Sequence, residues 1–524
     1  MLVNLRNVWN DLSSAPFSLQ DIPGFPFERY TDQLAVYNEC ERWYNGSALD
    51  DQPEVSKGVD LYPVKINPLR SIVGKHAYIL FGETEDDGRL PVHTRLIAET
   101  DAEKEMAKTA EGALNRVWYE NNGKTLFMEN AVNSQVYGGC IFHAAYVPWE
   151  WSKYGGIREI PIKIEKIHPK GFVGTLDAGD PYRLWDAWFI RQIPEGEARR
   201  LGYTKNDQTF YLVQHETKNT LEAWVNDQPA MLEGRPVSGE NPYGIVPAVY
   251  IPHMRNIGFL GTNAIDHLKG LVKEINLRFA DYGDAVNDDA HNYTAMRNVQ
   301  GTVQVKQIAE GLRAVDLGSA PNITGSERDP DLFEVRSQRA SPAMNNLLEQ
   351  LVLQLRRDSD VPAVAYGEDE GSQRSALTLA TRFWPLTSHV GTERLFWTAG
   401  LNVMQYSLLR IMSISQLGDI TEEHTKLRMK HRWAPMLPRD READVQEWVQ
   451  RYSADLGSID TLLELTGDIE DKEEEKKLIL EWLEKKAKIE AMAQPAPFGG
   501  GGSSSPQGGG AKTTAQKVGG GGGK

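Results

Sequence analysis

The chain has 524 residues, of which 40 % are hydrophobic and 25 % are charged. This composition is typical of folded domains, and the length suits about two to four of them. Lys and Arg (57) against Asp and Glu (73) leave a net charge of −16, which excludes a generally basic nucleic-acid-binding protein. Two cysteines, Cys40 and Cys140, are too few for a disulfide framework or a zinc cluster. Because no segment has the pattern of a signal peptide or the roughly 18 apolar residues of a membrane helix, we expect a soluble intracellular protein without a membrane partner.

The first 260 residues predict a body of mixed α+β structure. The turn Asn45-Gly46 ends the first helix, and Asp101 is the expected N-cap of the second. Beyond Gly138-Gly139, apolar residues alternate with polar ones, and a period of two predicts strands. The expected helices are 27–44, 101–119 and 125–137, and the expected strands are 141–147, 160–167, 184–193, 210–216 and 221–226.

From Gly261 the pattern changes to that of one long helix. Apolar residues recur at steps of three and four over three heptads, which places them in a single seam on the helix surface. Thr262 is the expected N-cap, and a helix over 262–289 is about 40 Å long at a rise of about 1.5 Å per residue. The seam consists of Ile265, Leu268, Val272, Ile275, Phe279, Tyr282 and Val286.

A second long helix is expected near Pro342, after short strands within 291–333. An acidic loop rich in Gly and Pro follows at 358–374. A third helix, at 375–414, contains Pro385, which removes one backbone hydrogen bond and predicts a kink. Residues 434–493 are expected to form a small helical unit, and the Gly- and Ser-rich tail after it a flexible coil. The apolar stripe of the second helix consists of Ala340, Met344, Leu347 or Leu348, Leu351 and Leu355.

Most motifs of enzymatic chemistry are missing from the sequence. It contains no P-loop, zinc-protease helix, calcium loop or nucleophile elbow, and no cofactor is expected. One face of the long helix carries Asp281, Asp284 and Asp288. Three carboxylates spaced in this way can hold Mg²⁺ for phosphodiester hydrolysis, although a solvated acidic helix face is far commoner.

Three basic residues on the same helix are candidate contacts for a nucleic-acid backbone. They are interspersed with acids, so that ordinary surface charges are the simpler interpretation. A protein that makes many phosphate contacts binds DNA tightly and in a salt-dependent way, and three isolated cations predict only weak contact. These residues are Lys269, Lys273 and Arg278.

The order of these segments resembles that of the portal proteins of tailed bacteriophages, over roughly residues 27 to 490. The resemblance rests on six short motifs in the same order around the helix–strand–helix stalk, and not on a catalytic signature. Where many members of the family have Ser-Asp or Ser-Glu after the glycine, this chain has Thr262-Asn263. The motifs are RWYNG at 42–46, NPLRSIV at 67–73 with LFG at 80–82, NPYGIVP at 241–247, GTNAI at 261–265, VPAVAYGEDEG at 361–371 before the kinked helix, and WAP at 433–435 with the acidic stretch 468–475.

The resemblance implies an α+β portal fold with a wing, a two-helix stem, a small β-containing clip, a long kinked helix and a helical crown. The implied boundaries are wing 1–260 and 375–440, stem helices 261–290 and 337–358, clip 291–336, tunnel loop 359–374, crown 441–494 and flexible tail 495–524. The tunnel loop would line the narrowest part of a channel. Its implied channel residues are Val361, Pro362, Tyr366, Gly367, Glu368, Asp369, Glu370 and Gly371.

The function that the resemblance implies is structural and not enzymatic. Portal proteins form a ring, typically of twelve copies, at one capsid vertex, through which double-stranded DNA enters and leaves without sequence recognition. The implied partners are the terminase large subunit, a head-completion or neck adaptor protein, and the major capsid and scaffolding proteins. The implied location is the portal vertex of the virion, with assembly in the host cytoplasm. The seam would then pack between subunits, and an acidic channel wall would let DNA slide.

Two alternatives remain open at the level of sequence. A metal-dependent nuclease would use the acidic helix face, and its cleavage of DNA would disappear on Asp284→Ala. Another phage assembly protein, such as a scaffold or a tail adaptor, would assemble without an axial hole wide enough for a duplex. The interrupted stem, followed by the acidic loop and the kinked helix, favours the portal over both.

Overall fold

The computed structural model describes residues 17–50, 65–82, 90–147, 160–232, 235–255, 261–290, 293–297, 313–316, 331–335, 342–368, 376–437, 441–454, 458–459 and 472–493. The chain divides into two compact units, Met1–Pro438 and Arg439–Lys524. The prediction of a mixed α+β protein is confirmed, because long helices accompany several sheets that are mainly antiparallel.

Four helices begin the first unit. The first of them ends at Gly46, whose φ of +84° gives a left-handed C-cap, as the Asn45-Gly46 turn predicts. The prediction that Asp101 is the N-cap of the helix at 101–119 is wrong. Thr100 caps it in place of Asp101, because Thr100 Oγ1 accepts the N–H of Glu103 while the Glu103 carboxylate accepts the N–H of Thr100. The helices are α1 (Phe27–Asn45), α2 (Leu69–Phe81), α3 (Asp101–Glu120) and α4 (Gly123–Tyr137).

Twelve strands and one short helix complete the described part of the body, with β1 between α2 and α3 and the others after α4, and all five predicted strands are among them. The largest sheet is antiparallel in the order β11-β7-β6-β5-β4, and β8 pairs with β7. A second antiparallel sheet has the order β12-β2-β3, and β9 and β10 form a hairpin. The elements are β1 (Val92–Ile97), β2 (Gly139–Tyr146), β3 (Ile162–Ile167), β4 (Phe172–Leu176), β5 (Leu184–Ile193), α5 (Glu195–Arg200), β6 (Phe210–Thr217), β7 (Thr220–Val225), β8 (Gln228–Pro229), β9 (Met231–Leu232), β10 (Arg235–Pro236), β11 (Gly239–Glu240) and β12 (Ala248–Pro252).

Two long helices then flank a small sheet, in the order that the sequence predicts. They are α6 (Lys269–Ala290) and α7 (Pro342–Asp358), and they pack against each other. The sheet consists of β13 (Tyr293–Arg297), β14 (Arg313–Asp316) and β15 (Asp331–Val335). The central strand β13 runs parallel to β14 and antiparallel to β15.

The start of α6 differs from the prediction. Thr262 does not cap the helix, because it forms a β-bridge with Met254, and a 3-10 turn at Asp266–Leu268 precedes the helix. The side chain of Asn263 takes the capping role, since its Oδ1 accepts the N–H groups of Ile265 and Asp266. After Gly261, Thr262 therefore forms the β-bridge and Asn263 forms the capping hydrogen bonds.

Gly138 and Gly261 let the chain that leads into α6 cross the end of α4. A Cβ built on either residue would lie only 2.2 Å from the carbonyl oxygen of the other, a distance that no side chain tolerates. Gly138 also has φ +84°, in the left-handed region. The close backbone approach explains why glycine occupies both positions.

The last elements of the first unit are α8 (Ala376–Arg382), α9 (Trp384–Ile414) and β16 (Arg428–Trp433). The strand β16 pairs antiparallel with β1, which joins residues 92–97 to residues 428–433. The helix α9 runs through the main core, where Trp397 is fully buried against Phe81 and Phe142 at ring-centroid distances of 5.1 and 6.0 Å. Such aromatic contacts bury a large apolar area at the junction of α2, β2 and α9.

The described part of the second unit is helical, as predicted for this region. It contains α10 (Arg441–Ser453) and α11 (Lys472–Ala493). Within the described part of the chain, none of the helices combines the length and the hydropathy that crossing a bilayer requires.

Candidate channel loop and its anchorage

The loop that the sequence assigns to a channel begins directly after α7, and its first residues are well buried. Val361 is fully buried and Ser359 is 4 % exposed. A 3-10 turn at Ala363–Tyr366 follows and ends at Gly367, which has φ +77°. Exposure then rises, since Gly367 and Glu368 both face solvent while Pro362 and Tyr366 are half-buried. The predicted residues Asp369, Glu370 and Gly371 lie outside the described residues.

Three histidines from three different elements hold three consecutive residues at the start of this loop. His267, before α6, bonds the carbonyl oxygen of Asp358 at 2.9 Å. His76 of α2 donates from Nε2 to the carbonyl oxygen of Ser359 at 2.8 Å. His389 of α9 contacts the Asp360 carboxylate from Nδ1 at 3.0 Å. We call Asp358, Ser359 and Asp360 the loop root.

Two cations fix the turn after the loop root. Lys75 of α2 donates to the carbonyl oxygen of Ala365 at 2.5 Å and lies 4.6 Å from the centre of the Tyr366 ring. Arg356 of α7 lies 5.9 Å from the same ring and forms an ion pair with Glu368 at 2.5 Å. Tyr366 therefore stands between two cations, a contact in which the ring face attracts positive charge.

A buried polar cluster lies behind the loop root. The His389 ring is 4.9 Å from the His76 ring and 5.7 Å from the His253 ring, measured between centroids. Glu393, one turn after His389, is fully buried, and its carboxylate accepts a hydrogen bond from Gln135 Nε2 at 2.9 Å. His253 Nδ1 lies 3.1 Å from Glu393 Oε1, close enough for an ion pair but without hydrogen-bond geometry.

Two of the three histidines that hold the loop root, His76 and His389, favour their uncharged forms. Burial and the neighbouring His389 lower the pKa of His76 to about 4. Burial and the neighbouring His253 also lower the pKa of His389, although Glu393 and Asp360 oppose the shift. At neutral pH both rings are therefore neutral imidazoles.

The helix that the sequence predicts around Pro385 is interrupted near that residue. Phe383 is a turn residue between α8 and α9, and Pro385 lies in the first turn of α9. Proline is well tolerated there because the first N–H groups of a helix have no partner within it. The interruption separates the short helix α8 from the long helix α9. His389 and Glu393 belong to α9.

The seam on α6 divides into two parts. Its first four residues are at most 2 % exposed and belong to the main core of the protomer. Phe279 and Tyr282 are half-buried, and Val286 is 43 % exposed. The role of the seam between subunits stays a prediction, and the residues available for it are Phe279, Tyr282 and Val286. On the facing helix α7, Leu348 and Leu355 are buried while Leu347 is exposed, which decides the alternative that the sequence left open.

Two of the three basic residues on and before α6 are neutralised locally. Lys269 pairs with Asp266 at 2.5 Å, and Arg278 pairs with Glu274 at 2.8 Å and with Asp281 at 3.0 Å. Lys273 is exposed, and no described carboxylate forms an ion pair with it.

Only Asp281 and Asp284 of the predicted acidic face of α6 have described side chains. Asp281 is occupied by Arg278, and the side chain of Asp288 lies outside the described part. Among the described residues, no group of three or more His, Cys, Asp or Glu side chains has the geometry to hold a metal ion.

Sequence reasoning missed the residues that anchor the loop. Lys75 and His76 are polar residues within an otherwise apolar helix, and His389 and Glu393 lie four residues apart on one face of α9. These two patterns point to buried polar partners. They do not reveal that both partners meet at the loop root, because the contacts join residues about 280 and 30 positions apart.

Comparison with known proteins shows the family of this chain. A family description that reads phage portal protein, SPP1 Gp6-like, matches residues 27–489, and no curated protein matches the chain. Portal proteins are non-enzymatic structural proteins of the virion. They form an oligomeric ring at the portal vertex, and this ring interacts with DNA and with the terminase. Because the match covers most of its length, the chain belongs to the SPP1 Gp6-like family of phage portal proteins.

Proposed function

We propose that this protein is the subunit of a twelve-membered ring at one capsid vertex, and that double-stranded DNA passes along the axis of the ring during packaging and ejection. The observation that carries the proposal is the order of elements from α6 to α9. Two long packed helices flank a small sheet, and an anchored loop and an interrupted helix follow. A compact enzyme has no evident use for such a stalk.

The portal subdomains fit this order of elements. The pairing of β1 with β16 supports one wing built from residues 1–260 and 375–440. The packing of α6 against α7 supports a stem made of residues 261–290 and 337–358. The sheet of β13, β14 and β15 suits the clip, residues 291–336, and the helices α10 and α11 suit the crown, residues 441–494.

The loop over 359–374 is proposed as the narrow part of the channel. Ser359 at the centre of the root is buried, the three root residues are bonded to three elements of the body, and exposure increases from Val361 to Glu368. A loop anchored in this way can present its outer residues to a moving duplex while its root stays fixed. Loops carried on a rigid scaffold commonly hold functional residues.

The charges on α6 support a channel that does not grip DNA. Each phosphate that a protein neutralises increases its affinity for DNA. Lys269 and Arg278 are already paired with carboxylates, so that Lys273 is left as the candidate backbone contact of this set. A net charge of −16 further disfavours tight binding of a polyanion.

The partners follow from the proposed subdomains. The clip is proposed to meet the large subunit of the terminase during packaging and a head-completion or neck adaptor protein afterwards. The wing and crown are proposed to contact the major capsid and scaffolding proteins. These assignments depend on membership of the family. Pull-down with the clip deleted or intact tests the contacts proposed for the clip, and pull-down with the crown deleted tests those proposed for the crown.

Electron microscopy of the purified protein together with its mass in solution tests the proposed ring. We expect rings with a central hole and a mass near twelve or thirteen times the 58.7-kDa chain. Assemblies without an axial hole would favour a scaffold or a tail adaptor. Mg²⁺-dependent DNA cleavage that disappears on Asp284→Ala would favour the nuclease.

A further inference from the structure

The loop root is held by histidines to an unusual degree. The chain has 11 histidines, and three of them bond three consecutive residues from three separate elements. Asp360 has a left-handed backbone, with φ +55°. A left-handed backbone is less favourable for residues other than glycine, and the contacts around Asp360 help to hold it there.

We propose that His76 and His389 are positioning residues that lock the root of the 359–374 loop to the body of the protomer, and that they do so only while both rings are uncharged. The lock is a property of the single protomer. Its consequence for DNA passage rests on the proposed function of the loop.

The hydrogen bonds define how each ring carries its proton. Ser359 offers His76 a carbonyl oxygen, which only accepts, so His76 Nε2 carries the hydrogen and Nδ1 is left with a lone pair. Asp360 offers His389 a carboxylate, so His389 Nδ1 carries the hydrogen and Nε2 is left with a lone pair. Neither lone pair has a hydrogen-bond partner among the described residues, and both nitrogens are buried.

Protonation of either ring therefore creates a buried N–H donor without an acceptor, beside a second imidazole 4.9 Å away. An unsatisfied buried charged group is costly. The carboxylates of Glu393 and Asp360 oppose this cost, while His253 and the other ring of the pair add to it. Lys75 points away from the cluster, to Ala365 and Tyr366.

The lowered pKa of His76 fixes the direction of the pH dependence. The locked root takes up the proton on His76 only near pH 4, whereas an opened root exposes the ring and takes it up near the ordinary pKa of about 6.5. The stabilisation is therefore complete above about pH 6.5 and is lost as the pH falls towards 4.

The lock gives the loop a fixed point. With the root attached to α2 and α9, a force applied to the exposed residues Gly367 and Glu368 is passed into the main core of the protomer. Displacement of the loop by DNA is then confined to residues beyond the root.

Hydrogen exchange of the full-length protein tests the lock. The N–H groups of Ser359 and Asp360 bond to the carbonyl oxygens of Leu355 and Arg357, so that their exchange reports opening of the root. Corrected for the intrinsic rate, opening should increase about 20-fold between pH 7 and pH 5 from His76 alone. The substitution His76→Gln keeps a hydrogen-bond donor for the carbonyl oxygen of Ser359, but glutamine does not titrate. This variant should therefore lack the 20-fold increase in opening.

The control is His431→Gln. His431 is also buried, and burial also lowers its pKa to about 4. It lies in β16, where it contacts Thr94 and Asn402 instead of the loop. This variant should keep the full pH dependence at Ser359 and Asp360.

The proposal is overturned if His76→Gln and wild type show the same pH dependence at the root. It is also overturned if exchange rises equally at buried α9 positions such as Leu401, which would indicate a merely structural role. His389→Gln supplies a second variant with the same expectation if His76→Gln does not fold. A wild-type protein that shows the lock but forms no ring would contradict the proposed function and leave the lock standing.

Discussion

The two halves of α6 carry one continuous heptad pattern, but the protomer buries the residues of this seam completely only in the first half. Val272 and Ile275 are at most 2 % exposed, whereas Val286 is 43 % exposed. The first half lies in the main core together with α2 and α9. A heptad seam therefore predicts that one face of a helix is buried. It does not predict whether that face packs against the same chain or against a neighbouring subunit.

A second difference separates the two halves. Asn276, fully buried on the first half, accepts the N–H of Ile66 at 2.7 Å and donates to the carbonyl oxygens of Ile66 and Val272 at 2.8 Å each. It thereby ties the segment before α2 to the helix. The second half carries Asp281, which pairs with Arg278 of the preceding turn near the surface.

The largest expected effect is on the free energy of unfolding of the protomer. Ile275→Ala should lower it by about 3 kcal/mol, because the substitution removes buried methylene groups and leaves a cavity in the core. Val286→Ala, the matched change on the second half, should stay within about 0.5 kcal/mol of wild type. Denaturant titration of unassembled protein measures both values. Equal losses for the two variants would remove the distinction between the halves.

A smaller loss is expected for Asn276→Ala. The substitution leaves the partly buried backbone N–H and carbonyl groups of Ile66 without their partners, and we expect a loss near the lower end of the about 1–3 kcal/mol that a fully buried unsatisfied group costs. The same titration measures this loss, with Asn345→Ala on the exposed side of α7 as the control. A loss no greater than that of the control would show that the tie to Ile66 contributes nothing.

The smallest effect on stability is expected for Val286→Asp, which should unfold at nearly the same denaturant concentration as wild type. Its effect should appear in assembly, because the exposed second half of α6 is where we expect a neighbouring subunit. Light scattering or mass photometry should show fewer complete rings than for wild type. Leu232→Asp, an equally exposed apolar position in the hairpin of β9 and β10, should assemble normally. Full assembly of Val286→Asp would contradict a subunit contact at this position.

Local patterns were sufficient for many elements of the fold. The turn at Asn45-Gly46 predicted the end of α1, and the alternation of apolar residues predicted β5 at its observed bounds. The short edge strands were missed because their pairing is long-range. In particular, β1 and β16 are more than 300 residues apart, and each is only six residues long.

The candidate site was predicted less completely. The position of the loop followed from its Gly, Pro and acidic residues, but its anchorage did not. His76 and His389 are polar residues within helices, and nothing in the sequence around them names a distant partner. Only the three-dimensional structure brings them to neighbouring residues, Ser359 and Asp360.

A cryo-electron-microscopy map of the assembled ring at side-chain resolution tests the central claim most directly. The account predicts that Ile275 is covered by its own subunit and Val286 by a neighbour. It also predicts that residues 361–368 are the part of each subunit nearest to the axis of an open channel. An assembly without an axial channel, or a ring in which this loop lies on the outer rim, would contradict the account.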